Sequence, residues 1–457
     1  MDGMERLGGE RMGEQSSIRQ VAAASFIGTT IEWYDFFLYG TAAALVFNKL
    51  FFPEFSPLAG TLLAFSTYAV GFLARPIGGI VIGHYGDKIG RKSMLILSLL
   101  IMGIATFLIG LLPTYNAIGV AAPILLVILR LAQGFGVGGE WGGAVVLAVE
   151  HAPPGKRGFY GAWPQMGVPA GLLLSTGVFT LFNASLSDAA FLSWGWRVPF
   201  LLSIVLVAVG LFIRMRIMET PAFQRVKDTR SEARMPVIEV IRTHPRNVLL
   251  AMGMRIAENG VFYVFTVFSL TYGTQVLGVP RTTVLIGVLI AAAVGLFAMP
   301  YFGWLSDRVG RRPLYLGGAA LSVLYAFPFF WLMDTEMAAV IWLAIVLGLV
   351  WHAMMYGPQA SFFSELFGTR VRYSGASLGY QLASVLAGGL SPLIATALLA
   401  ASDGEPWWVA AYMVGMGLIS VVSVLLATET FRSDIEEDVL DAEAKGSAPG
   451  RPAEAEG

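Results

Sequence analysis

Glu32 and Asp35 stand three residues apart in an otherwise apolar run, 20–48, and Arg130 and Glu140 interrupt a second, 120–149. Arg75 directly follows a third run, and Arg255 and Glu258 stand three apart at the start of a fourth. A carboxylate at the centre of a membrane helix costs about 2.5–3.5 kcal/mol on insertion scales, so it persists only where it pairs, takes up a proton or lines water. Asp35 is about fifteen residues into its run, which at ~1.5 Å per residue puts it near mid-membrane. Burial disfavours the charged form of a carboxyl, so Asp35 is suited to bind and release a proton. Glu32 and Glu140 are further proton-coupling candidates. The alternative for Asp35 is a permanent salt bridge to an arginine.

A guanidinium stays charged and offers a planar fork of donors that matches a carboxylate. Arg75, Arg130 and Arg255, the basic residues placed within spans, are therefore candidate anchors for a small anionic substrate, with Tyr34, Gln133, Trp141 and Glu258 as companion binding residues. Arg130 and Glu140 lie about 15 Å apart along one helix and cannot pair. Arg130 needs another partner, either a substrate carboxylate or Asp35. Arg255 and Glu258 share a helix face and either pair with each other or contribute to binding. His352 is either a core histidine or a proton relay.

These groups must be positioned by membrane helices. Hydrophobic residues make up 56% of the 457-residue chain and charged ones 13%, about half the charged share of soluble proteins. Charge-free runs cover 55–74, 93–112, 158–187, 198–213, 259–280, 282–306, 313–333, 337–364, 373–402 and 406–428. With the two charged runs they make twelve spans of the roughly 20 residues that a bilayer demands. The fold class is all-α integral membrane.

A charged hairpin, G-x-x-x-D-[KR]-x-G-R-[KR], occurs at 83–92 and again at 303–312, with Asp87 and Asp307 220 residues apart. Its glycines suit a tight turn. Glu150 precedes Arg157 by seven residues, as Glu365 precedes Arg372. The duplication implies two pseudo-symmetric six-helix bundles. Asp87, Arg91, Glu150, Arg157, Asp307, Arg311, Glu365 and Arg372 are expected to form a cytoplasmic gate. Basic residues gather in the hairpin-side loops, so both termini are expected in the cytoplasm. The divisions are 1–20, an N-terminal segment; 21–213, the first bundle; 214–246, a basic linker; 247–428, the second bundle; and 429–457, an acidic tail expected to be disordered. Residues 235–241 of the linker can form a short amphipathic helix or serve as a plain tether.

The chain resembles the major facilitator superfamily in both hairpins. EWYDF from Glu32, FLARPIGG from Phe72, RLAQGFGVGGEWGG from Arg130 and WGWRVPF from Trp194 are similar to the metabolite:proton symporter family, most of all its bacterial shikimate permease branch. FLSWGWR from Phe191 and RYSGASLGYQ from Arg372 support the closer likeness. The resemblance spans about Arg19 to Thr428. It implies a secondary active transporter of the inner membrane that works as a monomer, taking up a small carboxylated metabolite such as shikimate together with protons. Relatives of this kind also carry 2-oxoglutarate, citrate, proline or betaine, so an osmolyte symporter is the second reading. A membrane sensor that has lost transport is the third.

Enzymatic readings are weaker. Cysteine is absent, which excludes thiol catalysis and Cys-ligated metals. Neither a phosphate-binding G-x-x-x-x-G-K-[ST] loop nor H-E-x-x-H occurs. The glycines from Gly134 to Gly143 follow no strand, so they read as close helix packing and not as a dinucleotide loop. No cofactor, metal or nucleic-acid partner is expected.

Overall fold

The computed structural model describes residues 18–89, 91–138, 141–150, 152–153, 155–216, 236–367 and 372–432. Every element among them is helical. The spans are α1 (18–50), α2 (Pro57–Ile89), α3 (Arg91–Leu111), α4 (Ala121–Val137 continued by Trp141–Glu150), α5 (Arg157–Ser185) and α6 (188–216). A second set follows: α7 (Pro245–Val276), α8 (Arg281–Val309), α9 (Arg311–Met333), α10 (Ala338–Glu365), α11 (372–401) and α12 (Trp407–Leu426). Among the described residues nine segments are long and apolar enough to cross a membrane. The shorter apolar helices Ile96–Leu111 and Ala121–Val137 and the acid-bearing α1 complete the twelve.

Prolines and glycines set the breaks. Pro57 and Pro245 open α2 and α7, where the missing N–H costs nothing. Gly310, at φ 102°, turns the chain between α8 and α9, a conformation that an L side chain resists. Helix association cannot rest on the hydrophobic effect where lipid is as apolar as leucine; it rests on close packing and interhelical hydrogen bonds. A Cβ on Gly134 of α4 would collide with the Gly71 carbonyl of α2, so the glycine run does serve helix contact. Ser420 of α12 donates to the Gly253 and Met254 carbonyls of α7 at 2.8 Å and accepts from the Ala257 amide at 2.9 Å.

The duplication survives in three dimensions. Helix α2 packs on α4 as α8 does on α10, α3 on α6 as α9 on α12, and α1 on α5 as α7 on α11. A π-helical stretch at Ala43–Phe47 in α1 is matched by one at Val264–Phe268 in α7, 221 residues later. The halves meet mainly along α5–α8 and α2–α11. Residues 236–243 of the linker are helical and rest on α7 and α11. Packed structure continues four residues past the tail boundary drawn from the sequence, to Arg432, with Thr430 buried.

Candidate functional site

Helices α1, α2 and α4 bring two guanidiniums of the first half around one ring. The guanidiniums of Arg75 and Arg130 each lie 4.1 Å from the centroid of Phe36. Arg75 also faces Phe72 at 4.5 Å, and Arg130 faces Tyr39 at 4.3 Å and Tyr68 at 4.6 Å. Cation–π contacts of this kind are worth about 2 kcal/mol or more once desolvated, and both arginines are buried. Arg130 donates to the Gln133 side-chain oxygen at 2.9 Å, and Gln133 in turn donates to the Thr106 hydroxyl at 2.6 Å. Among the described residues no acid pairs with either arginine, and Nε and Nη2 of both have no acceptor.

Asp35 is buried, and neither carboxylate oxygen accepts a hydrogen bond. The Thr106 hydroxyl lies beside it but donates to the Met102 carbonyl at 3.0 Å. The second half adds more unmatched donors. Tyr263 stands against Phe72 and Tyr68, with ring centroids 5.6 and 5.9 Å apart, and the Tyr68 and Tyr263 hydroxyls and Asn259 Nδ2 have no partner. A desolvated donor without an acceptor costs about 1–3 kcal/mol. Such a concentration of unmet donors from both halves is suited to holding an anion.

Arg255 is arranged differently. It donates to Glu258 at 2.6 Å, to the Gln359 oxygen at 2.9 Å and to the Ser384 hydroxyl at 3.3 Å. Glu258 also meets His352 Nε2 at 2.9 Å and accepts from Gln359 Nε2 at 3.0 Å. Gln359 Nε2 reaches the Tyr315 hydroxyl at 3.0 Å, which donates to the Met254 carbonyl at 3.0 Å.

The end of the bundle that carries the hairpins holds a charged latch. Asp307, from α8, accepts the backbone amides of Gly158 at 2.8 Å and Phe159 at 2.9 Å. It thus caps α5 of the other half, where the N-cap residue Lys156 supplies no side-chain bond. Arg311 bridges Asp307 at 2.7 Å and Glu365 at 3.2 Å. Thr430 donates to Glu365 at 2.8 Å, while Glu429 accepts the Arg311 and Arg312 amides at 3.0 Å. At the far end, Arg281 pairs with Asp188, and Gln275 donates to Thr61 at 2.7 Å. Contacts between the halves therefore exist at both ends.

The profile of the Major Facilitator Superfamily matches residues 25–392. The chain belongs to this superfamily. It is 47% identical over 423 residues to the shikimate transporter of Escherichia coli K12, covering 92% of this chain and 96% of that one. It is 35% identical over 427 residues to the proline/betaine transporter of the same strain, covering 91% and 85%. The xylose transporter XylE from E. coli superposes with a TM-score of 0.70 at 19% identity, covering 92% and 100%, a likeness of fold. As a facilitator, the chain is a multi-pass membrane transporter of small molecules and not an enzyme.

Within this facilitator fold the site residues expected from the sequence separate into groups. Arg75 and Arg130 converge on Phe36, and Arg130 through Gln133 reaches the Thr106 hydroxyl beside Asp35. Of the two partners expected for Arg130, Asp35 is not met: the guanidinium faces aromatic rings and Gln133. Asp35 forms no salt bridge among the described residues. The Tyr34 hydroxyl donates to the Pro199 carbonyl of α6 at 2.7 Å, inside the first half. Trp141 stacks on Tyr380 and donates to Gln165 at 3.0 Å. Arg255 and Glu258 pair, and Arg255 is turned to α10 and α11. Glu32 is buried. Arg157 lies near Glu365. Glu140 and the side chains of Asp87, Arg91, Glu150 and Arg372 lie outside the described residues. Phe36, Tyr68, Asn259, Thr106 and Gln359 went unnoticed in the sequence, since neutral side chains in an apolar run carry no local sign of facing a site.

Proposed function

We propose that the chain takes up a small carboxylated metabolite together with protons, by alternating access about the ring of Phe36. The carrying observation is a buried carboxyl without a cationic partner, beside the Thr106 hydroxyl on which the Arg130–Gln133 chain ends, together with two buried guanidiniums with unmet donors. A substrate carboxylate supplies the acceptors that Arg75 and Arg130 lack. A proton on Asp35 removes the cost of its buried charge. Loading both restores balance in a site that otherwise carries unmet charge of both signs, and this is the linkage that symport requires. Shikimate or a related organic acid is the favoured substrate, supported by the shikimate-transporter relative.

The proline/betaine relative supports a second reading, because the carboxylate of a zwitterion suits the same donors. We place the protein in the bacterial inner membrane with both termini in the cytoplasm, supported by the basic hairpin-side loops. The test is uptake into proteoliposomes with an imposed pH gradient, comparing shikimate, 2-oxoglutarate, citrate, proline and betaine. Gradient-dependent accumulation of an organic acid is expected. Accumulation of proline or betaine alone selects the second reading, and an organic acid carried equally with and without the gradient removes proton coupling.

A further inference from the structure

Trp141, Tyr380 and Arg255 form a stack of three planar groups across the boundary between the halves. The Trp141 indole lies on the Tyr380 ring with centroids 3.6 Å apart and planes 17° from parallel. The Arg255 guanidinium carbon is 3.2 Å from the centroid of the same ring. Two groups this close to one centroid must occupy opposite faces. All three are buried.

Neutral side chains tie the Trp141 and Tyr380 side of the stack across the boundary. Gln165 accepts from Trp141 and donates to the Tyr356 carbonyl at 3.3 Å, and Gln381 donates to the Gly138 carbonyl at 2.9 Å. Each of these polar links except the first joins one half to the other.

Depth distinguishes the stack from the anion site. Trp141 is nine residues from the hairpin end of α4, Tyr380 eight from that end of α11 and Arg255 ten from that end of α7. At ~1.5 Å per residue they lie about 12–15 Å inside. Arg75, Asp35 and Arg130 are 14, 17 and 20 residues from the same end of their helices, or about 21–30 Å. The stack therefore stands between the anion site and the hairpin end.

We propose that Trp141 and Tyr380 are the two leaves of an inner gate on the hairpin side, and that Arg255 is the positioning residue that keeps it shut. Two parallel aromatic faces carry like quadrupoles and repel unless offset. A cation on the far face of Tyr380 counters that repulsion, so Arg255 tightens a contact that it does not itself make. Glu258, Gln359 and Ser384 hold the guanidinium in place. Because Arg255 and Tyr380 belong to one half and Trp141 to the other, the gate parts between the two rings, inside the charged latch of Asp307, Arg311 and Glu365. The proposal rests on the alternating access of the facilitator fold and is independent of proton coupling and substrate identity.

The chain has no cysteine, so introduced pairs report cleanly. Spin labels at Lys156→Cys and Arg242→Cys read the hairpin end, and labels at Phe55→Cys and Ala401→Cys read the far end; all four positions are exposed. The full-length protein in lipid nanodiscs, without substrate or gradient, is measured by double electron–electron resonance. Tyr380→Leu and Trp141→Leu are each expected to raise the long-distance population of the hairpin-end pair about tenfold. Tyr380→Phe keeps the ring and should match the parent. Arg255→Gln should open the same end, with Arg255→Lys restoring closure in part.

An unchanged hairpin-end distribution in Trp141→Leu, with the far end intact, overturns the proposal. So does a Tyr380→Phe protein that opens as far as Tyr380→Leu. Should Tyr380→Leu not fold, Trp141→Leu decides with the same two outcomes. Failure of all solutes in the uptake screen would leave this measurement standing.

Discussion

In the first half, Asp35, Arg75 and Arg130 are buried with several hydrogen-bonding atoms unmatched, whereas in the second half Arg255, Glu258, His352, Gln359 and Tyr315 are linked into one network. Both halves descend from one repeat, yet among the described residues the unmet charged groups concentrate in one of them. Buried ions that satisfy each other stabilise a conformation, because breaking such a pair leaves an uncompensated charge. Buried ions that do not satisfy each other make the protein's free energy sensitive to what binds. The first half is thus built to respond to solute, and the second to hold its shape while the gate and latch move.

The comparison is broken most directly at Asp35. Asp35→Asn is expected to abolish gradient-driven accumulation in proteoliposomes while exchange of substrate across the membrane survives, with no loss of thermal stability because no partner is lost. Undiminished accumulation would remove Asp35 from the coupling. Glu258→Ala should do the reverse of that stability result, costing about 3–5 kcal/mol, read as a lower melting temperature in detergent. An unchanged melting temperature would mean that the second half's network is not what holds it together.

Arg130→Ala is expected to weaken substrate binding about a hundredfold, within the ~2–5 kcal/mol that follows truncation of a buried charge-assisted contact. Equilibrium binding of radiolabelled substrate checks this, and unchanged affinity would move the anion site elsewhere. The smallest effect should come from Thr430→Val, which removes one donor to Glu365. A loss of about 1.5 kcal/mol is expected for a hydrogen bond to a charged group. The same hairpin-end spin labels should show a modest rise in the open population, and none would place the segment after α12 outside the latch.

Twelve spans, the duplication and the superfamily were legible in the residue order, because each depends on local composition and on a repeated motif. Asp35, Arg75 and Arg130 stood out for the same reason, since a charge in an apolar run is conspicuous wherever it points. The pairing of Arg255 with Glu258 was readable from their three-residue spacing. Tyr34 is next to Asp35 in sequence, yet its hydroxyl meets Pro199, since a helix turns about 100° per residue. The polar setting of Glu429 and Thr430 reads as disordered tail, because it says nothing about capping α9 or reaching Glu365.

Residue order alone determined that this chain lies in a membrane, in two related halves, with a few charges too costly to be accidental. Tertiary structure alone decided which charges pair and which stay unmatched, since partners such as Arg255 and Gln359 or Asp307 and Gly158 are far apart in the chain. Local spacing sets which way a side chain leaves its helix; only the packing of one helix on another sets what it meets there.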